Sequence, residues 1–287
     1  MQTDRNEARP RPRPISEPYP SLEELMHLIG EAGTRLVEIE AAEGAAGNIS
    51  VFVGWDVDVS AHFPREQPYP LPQPVPELAG KLFLVTGSGR RLREIGSDPE
   101  ANLGAIRVLP GGTSATLYTS ERCLFERPTS EFNSHLAVHK AMIARDRLNF
   151  HAVIHAQPLY LTYLSHIPRY SDTRYLNRHI LRWQPETLVQ LPQGVAFVPF
   201  LLPGSPELMA ATVSAMEADY RVVLWAKHGV MARSDQSVKR AADRIEYAET
   251  GARYEYLNLT NHGLADGLTE DELRRIAEKF GVEQDYF

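Results

Sequence analysis

The stretch HAVIHAQPLY, residues 151–160, is dominated by apolar residues and carries His155, Ala156 and Gln157 in succession. The run reads as a buried type of strand. Side chains two positions apart on a strand share a face, roughly 6–7 Å from one another. A His-x-His pair at that spacing grips a metal ion well, but here the second position is Gln157. Pro158 pushes Gln157 toward extended backbone, which keeps it on the face of His155. His151 points the same way but lies too far from Gln157 to share one ion with it. A lone histidine on an apolar strand is more often a satisfied core residue than a ligand, so the rest of the chain must decide.

Around this strand the chain mixes helices and strands without a strict βαβ rhythm. Ser21 and Glu24 form a capping box ahead of an apolar stripe through 21–42. A strand over 49–53 follows the small-residue turn GAAGN. Six prolines between 62 and 78 suggest an extended surface loop within one domain. KLFLVTGSGR (81–90) is a strand entering a turn, and GAIRVLP and ATLYTS make a hairpin through GGTS. A turn and an amphipathic helix occupy 128–146, and further strands are expected at 195–200 and 221–230. Helices are expected at 205–220, at about 236–260 and at 268–282, the last capped by Thr269 and Glu272. The fold class expected is α/β, with a central, mainly antiparallel sheet between helical layers. Residues 1–20, with five prolines and scattered charges, read as a flexible arm, and 21–287 as a single domain.

The net charge of −7 and the lack of a long basic stripe argue against a nucleic-acid surface. The densest basic run, GRRLRE (89–94), reads as a solvated loop or helix end, with anion binding as the alternative. One cysteine, Cys123, excludes an intrachain disulfide and suits a reducing cytoplasm. It reads as a small buried apolar residue. No apolar run approaches the roughly 18 residues of a spanning helix, and the N-terminus has no signal-peptide core.

Three further local signals carry chemistry. In WAKHGVM, His228 sits where a strand ends at a glycine, a favoured position for site residues. In RPTSEF, Thr129, Ser130 and Glu131 lie at a helix start, where backbone N–H groups and hydroxyls suit an anion; equally, Ser130 is the N-cap and Glu131 a first-turn acid. The turns AAGNIS (45–50) and VTGSGR (85–90) offer close backbone approach and side-chain hydrogen bonds through Asn48, Ser88 and Gly89, although TGSG lacks the spacing of a Walker or Rossmann fingerprint.

Taken in order, GN-I-S, TGSG, PTSE, IHAQP and AKHG resemble the class II aldolase/adducin family from about residue 21 to the C-terminus. DPEANLGAIRV (98–108), LVQLPQGVAFVPFLLPG (188–204) and the terminal LTEDELRRIAEKFGV extend the likeness. The resemblance implies a homotetramer with active sites between subunits and a divalent metal, usually zinc. It assigns His155 and His228 to two metal ligands and puts Gln157 where the other member of the His-x-His pair would be. Glu131 matches the catalytic acid/base and Glu186 an acid at the aldehyde end. Asn48, Ser88, Gly89, Thr129 and Ser130 match phosphate-binding positions. The activity implied is retro-aldol cleavage of a ketose 1-phosphate, L-rhamnulose 1-phosphate in the first instance, to dihydroxyacetone phosphate and L-lactaldehyde. A 4-epimerase, a dehydratase and a non-catalytic adducin-like module are the alternatives on the same scaffold. Because Gln157 offers a neutral oxygen in place of an imidazole nitrogen, weaker zinc binding is expected, with Mn²⁺ as the harder alternative.

Overall fold

The computed structural model describes residues 14–287. In chain order the elements are α1 (Leu22–Glu38), β1 (Asn48–Val53), β2 (Arg65–Pro70), β3 (Leu82–Thr86), α2 (Leu92–Ile95), α3 (Pro99–Asn102), β4 (Leu103–Val108), β5 (Ser114–Thr119), α4 (Phe132–Asp146) and β6 (Phe150–Ala156). Then come α5 (Leu159–Leu164), α6 (Thr173–Ile180), α7 (Pro185–Gln190), β7 (Ala196–Val198), α8 (Pro206–Glu217), β8 (Val222–Trp225), β9 (Gly229–Ser234), α9 (Val238–Thr260) and α10 (Glu270–Phe280). The strands form one sheet in the order β2-β5-β4-β3-β1-β6-β9-β8-β7. Only β7 and β8 pair in parallel, so the sheet is mainly antiparallel, as expected.

Strand alternation divides the core. Ile49, Val51, Ala152, Ile154 and Leu224 point to the face covered by α1 and α9. Phe52, Phe83 and Val85 face Phe132 and Leu136 of α4, while Val153, Val223, Trp225 and Met231 pack with Leu208 and Met216 of α8. The central strands β1, β3 and β6 are buried along their whole length, as a two-sided sheet requires.

Several details differ from the sequence reading. Part of the proline-rich loop is the edge strand β2, paired with β5; an edge position tolerates the missing N–H groups of Pro68 and Pro70. Residues 229–234 are a strand, so His228 sits in a β8–β9 hairpin turn. Cys123 is half-buried in a loop, its Sγ donating to the Phe125 carbonyl at 3.2 Å, rather than being a core residue. Of the expected arm, residues 1–13 lie outside the described residues. Its last residues are docked: Asn149 exchanges two 2.9 Å hydrogen bonds with the Ile15 backbone, and Tyr19 stacks on Trp55.

Helix α4 packs against β6 and reaches β1 through polar side chains, and one helical turn matches one strand repeat where the helix begins. Four helical residues rise about 6 Å, and two strand residues rise about 6.6–6.8 Å. Glu131, the N-cap of α4, meets Asn48, whose Nδ2 donates to Oε2 at 3.1 Å. One turn on, His135 Nδ1 lies 2.7 Å from Ser50 Oγ, and after another turn His139 Nε2 lies 2.8 Å from the same oxygen. His139 Nδ1 then meets His151 Nδ1 at 2.8 Å. All three rings are fully buried.

Burial, the largest cause in each case, disfavours the charged form of these rings. It pushes His139 down to about 3, and holds His135 and His151 well below 6.5, with neighbouring imidazoles adding to both shifts. The unfolded chain takes up protons on them below about pH 6.5, whereas the folded chain does not, so stability falls as pH falls. Glu249 acts in the opposite sense: burial pushes it up to about 7 against two backbone N–H donors. It therefore removes stability as pH rises toward 7, but it is one group against three. Each histidine contributes up to about 1.4 kcal/mol per pH unit. The urea midpoint is expected to drop steeply from pH 6 to pH 4, and a flat profile over that range would contradict the neutral, buried state of the three rings.

Candidate metal centre

Three elements converge at one end of the sheet. β6 delivers His155, which sits opposite Asn48 in the β1 register and is 2 % exposed. The hairpin turn delivers His228, and the start of α4 delivers Glu131, 6 % exposed. Glu131 Oε2 is 3.4 Å from His155 Nε2, and Oε1 is 3.3 Å from His228 Nε2. One ligand atom from each residue lies within 4.8 Å of the others.

The surroundings fix the rings. His155 Nδ1 donates to the Val230 carbonyl at 2.9 Å; since a carbonyl only accepts, Nε2 is the atom left for a ligand. Trp225 lies under both imidazoles, with ring centroids at 4.9 Å from His155 and 5.1 Å from His228. The indole is itself tied down by a 2.9 Å bond from Nε1 to Thr212 Oγ1. Burial, and then the neighbouring His155, hold His228 below the usual histidine pKa, with Glu131 opposing them in part. A buried carboxylate beside two such imidazoles is a donor set suited to a divalent cation, and two nitrogens with one oxygen fit zinc.

Glu131 occupies the N-cap of α4 but does not cap it, and Ser130 is exposed rather than being the N-cap. Gln157 lies just beyond the end of β6, its backbone N–H donating to the Ala41 carbonyl at 2.7 Å. With His228 it lines a cleft of about 810 Å³ that also includes Lys227, Tyr163, His166 and Arg93. Ser88, Gly89, Thr129 and Ser130 sit in two joined turns: Ser88 N–H donates to the Arg127 carbonyl at 2.9 Å, and Thr129 N–H to the Thr86 carbonyl at 3.0 Å. Thr129 Oγ1 accepts from Glu131 N–H at 3.4 Å, which attaches these turns to the centre. Glu186 is exposed in the first turn of α7 and belongs neither to the triad nor to the cleft lining.

Sequence reasoning missed Trp225, the Val230 carbonyl and the chain Ser50–His135–His139. A signal for that chain exists in EFNSHLAVH, where Glu131, His135 and His139 are spaced by four, one helix face.

The family model for the class II aldolase and adducin N-terminal domain matches residues 27–256. This chain belongs to the class II aldolase and adducin family. Within the family it is 28 % identical to the rhamnulose-1-phosphate aldolase of Bacteroides thetaiotaomicron, over 93 % of this chain and 98 % of that protein. It is 33 % identical to the rhamnulose-1-phosphate aldolase of Escherichia fergusonii, over 84 % of this chain and 87 % of that one. The sugar-phosphate aldolase of Thermotoga maritima superposes with a TM-score of 0.69 at 29 % identity, covering 84 % of this chain and 97 % of that structure.

Gly229 is the tightest constraint on this class II aldolase-type centre. Its φ is 152°, and a Cβ there would lie 2.4 Å from the Ala156 carbonyl, 3.0 Å from Gln157 Cγ and 3.1 Å from His155 Cε1. Gly229→Ala is therefore expected to lower both thermal stability and affinity for a divalent ion. Gly89→Ala, where a Cβ meets nothing, serves as the control and is expected to cost only about 1–2 kcal/mol for its left-handed backbone. Equal behaviour of the two variants in melts and metal titrations would refute the constraint.

Proposed function

We propose that this protein is a metal-dependent aldolase cleaving L-rhamnulose 1-phosphate to dihydroxyacetone phosphate and L-lactaldehyde. The observation that carries the reading is Glu131 within 3.3–3.4 Å of imidazole nitrogens from β6 and the β8–β9 turn. The names of the relatives supply the sugar. A divalent ion bound there, zinc first and Mn²⁺ as the alternative, would stabilise as a Lewis acid the negative charge left when the carbon–carbon bond breaks.

The remaining roles fall to the chain itself. As the hydroxyl beside the broken bond becomes the aldehyde carbonyl, its proton leaves to water; the electron pair of the broken bond stays on the dihydroxyacetone-phosphate half, and Glu131, after taking up a proton from water, delivers it to that carbon. Asn48 Nδ2, donating to Oε2, holds the carboxylate in place. Ser88, Gly89, Thr129 and Ser130 hold the phosphate through N–H and hydroxyl groups, which suits a chain of net charge −7. Gln157 supplies a neutral oxygen beside His228. Glu186, exposed on α7, serves the aldehyde end of a site completed between the subunits of a homotetramer. The single cysteine supports a cytoplasmic location. Among the described residues, no helix is long and apolar enough to cross a membrane.

Purified protein is expected to release dihydroxyacetone phosphate and an aldehyde from L-rhamnulose 1-phosphate. Glu131→Gln should lower kcat by about 10²–10⁴-fold, measured by coupled assay. Elemental analysis should find a divalent metal that disappears in His228→Ala. A rearranged sugar phosphate without free aldehyde, or wild-type protein that holds neither Zn²⁺ nor Mn²⁺ after reconstitution, would sink the reading. Gln157→His should tighten zinc binding in chelator competition, since it restores an imidazole nitrogen.

A further inference from the structure

The four buried side chains His151, His139, Ser50 and His135 form a hydrogen-bonded line with contacts of 2.8, 2.8 and 2.7 Å. A neutral imidazole has one N–H and one bare nitrogen, and a serine hydroxyl has one proton to donate. With every ring neutral and the Ser50 proton donated within the line, two arrangements are left; a hydroxyl can also accept from both rings, but the buried Ser50 proton would then have no acceptor among its hydrogen bonds to His135 and His139. In the first, His151 Nδ1–H donates to His139 Nδ1, His139 Nε2–H to Ser50 Oγ, and Ser50 O–H to His135 Nδ1, which leaves His135 with an Nε2–H. The second is the complete reverse and leaves the N–H on His151 Nε2.

The two open ends of the line are His135 Nε2 and His151 Nε2, and these are its two buried atoms without a partner. Their surroundings differ. His151 is within electrostatic reach of Arg233, Arg145 and Arg244, and Arg233 Nε, Arg233 Nη1 and Arg244 Nε are buried donors without a partner. A bare nitrogen suits that end. His135 lies one helix turn from Glu131, on the ladder that carries Asn48 and Ser50, and within electrostatic reach of His155. Glu131 only accepts, so Asn48 must present its Nδ2 to it, which turns Asn48 Oδ1 away as a buried acceptor without a partner. An N–H suits that end. An unmet buried polar group costs about 1–3 kcal/mol, and the first arrangement opposes donor to acceptor at both ends.

We propose that the arginine-backed line is polarised in this one direction, so that His135 presents its Nε2–H toward Asn48 Oδ1 through one bridging water, and thereby positions Asn48 against Glu131. His135 is then a positioning residue of the centre, acting through Asn48, and this role rests on the aldolase reading of that centre.

The test reads tautomers first. Solid-state ¹⁵N NMR of histidine-labelled wild-type protein is expected to find Nε2–H tautomers at His135 and His139 and an Nδ1–H tautomer at His151, all uncharged at pH 7. The reversed set, or an imidazolium at any of the three, overturns the proposal. This measurement needs no turnover, so an inactive protein would count against the aldolase reading alone. In active protein, His135→Gln keeps an N–H at the reach of Nε2, whereas His135→Leu does not. The leucine variant should lose about tenfold in kcat with little change in KM, the scale of one hydrogen bond, and the glutamine variant should recover most of it. Equal loss in both variants overturns the positioning role.

Discussion

The coincidence of two repeats, a helix advancing about 6 Å per four residues and a strand advancing about 6.7 Å per two, governs what the centre can be. It sets Glu131 against Asn48 and His135 against Ser50 one repeat further on. The match holds for that one repeat, since His139, a further turn along α4, reaches back to the same Ser50 oxygen. Around these contacts the interface is apolar, with Leu136 of α4 against Phe52 and Phe83. From His139 the polar line leaves β1 and ends at His151 on β6.

The other half of the centre depends on a hairpin rather than a helix. β8 and β9 pair with Trp225 opposite Gly229, which leaves a turn in which Lys227 adopts φ 62° and His228 is thrown toward Glu131. The closeness of β9 to β6 requires a residue without a Cβ at 229. Trp225, at the last rung of that hairpin, stacks on the His155 ring and meets the His228 ring at a tilt. A shift of the hairpin therefore moves His228, the indole and the support of His155 together.

Much of this was legible in the sequence, for identifiable reasons. The capping boxes Ser21/Glu24 and Thr269/Glu272 mark helix starts by local chemistry and both form as read. The signals around Asn48, Glu131, His155 and His228 do meet in space. The short helices α5, α6 and α7 were invisible because fewer than nine residues give no periodicity to read. β2 was hidden by its prolines, which forbid a central strand but not an edge. His135, His139 and Ser134 looked like the polar side of an amphipathic helix, yet all three are fully buried. Only the opposing Ser50, distant in sequence, explains two of them. Glu186 stands apart from the triad, exposed in the first turn of α7.

The charge balance ties these observations to chemistry. Glu131 is nearly fully buried, and an ionised carboxylate there is costly unless a positive charge faces it. Burial and His155 disfavour a proton on His228, so that imidazole is a poor counter-charge but a good lone-pair donor. A dication resolves both demands at once, since it neutralises the carboxylate and needs imidazoles uncharged. The amide of Gln157 adds no charge either way, leaving the sum of carboxylate and dication at +1, which favours an anionic substrate beside it. A neutral imidazole at 157 would leave that sum unchanged, so the exchange of histidine for glutamine there does not alter the electrostatic logic of the centre.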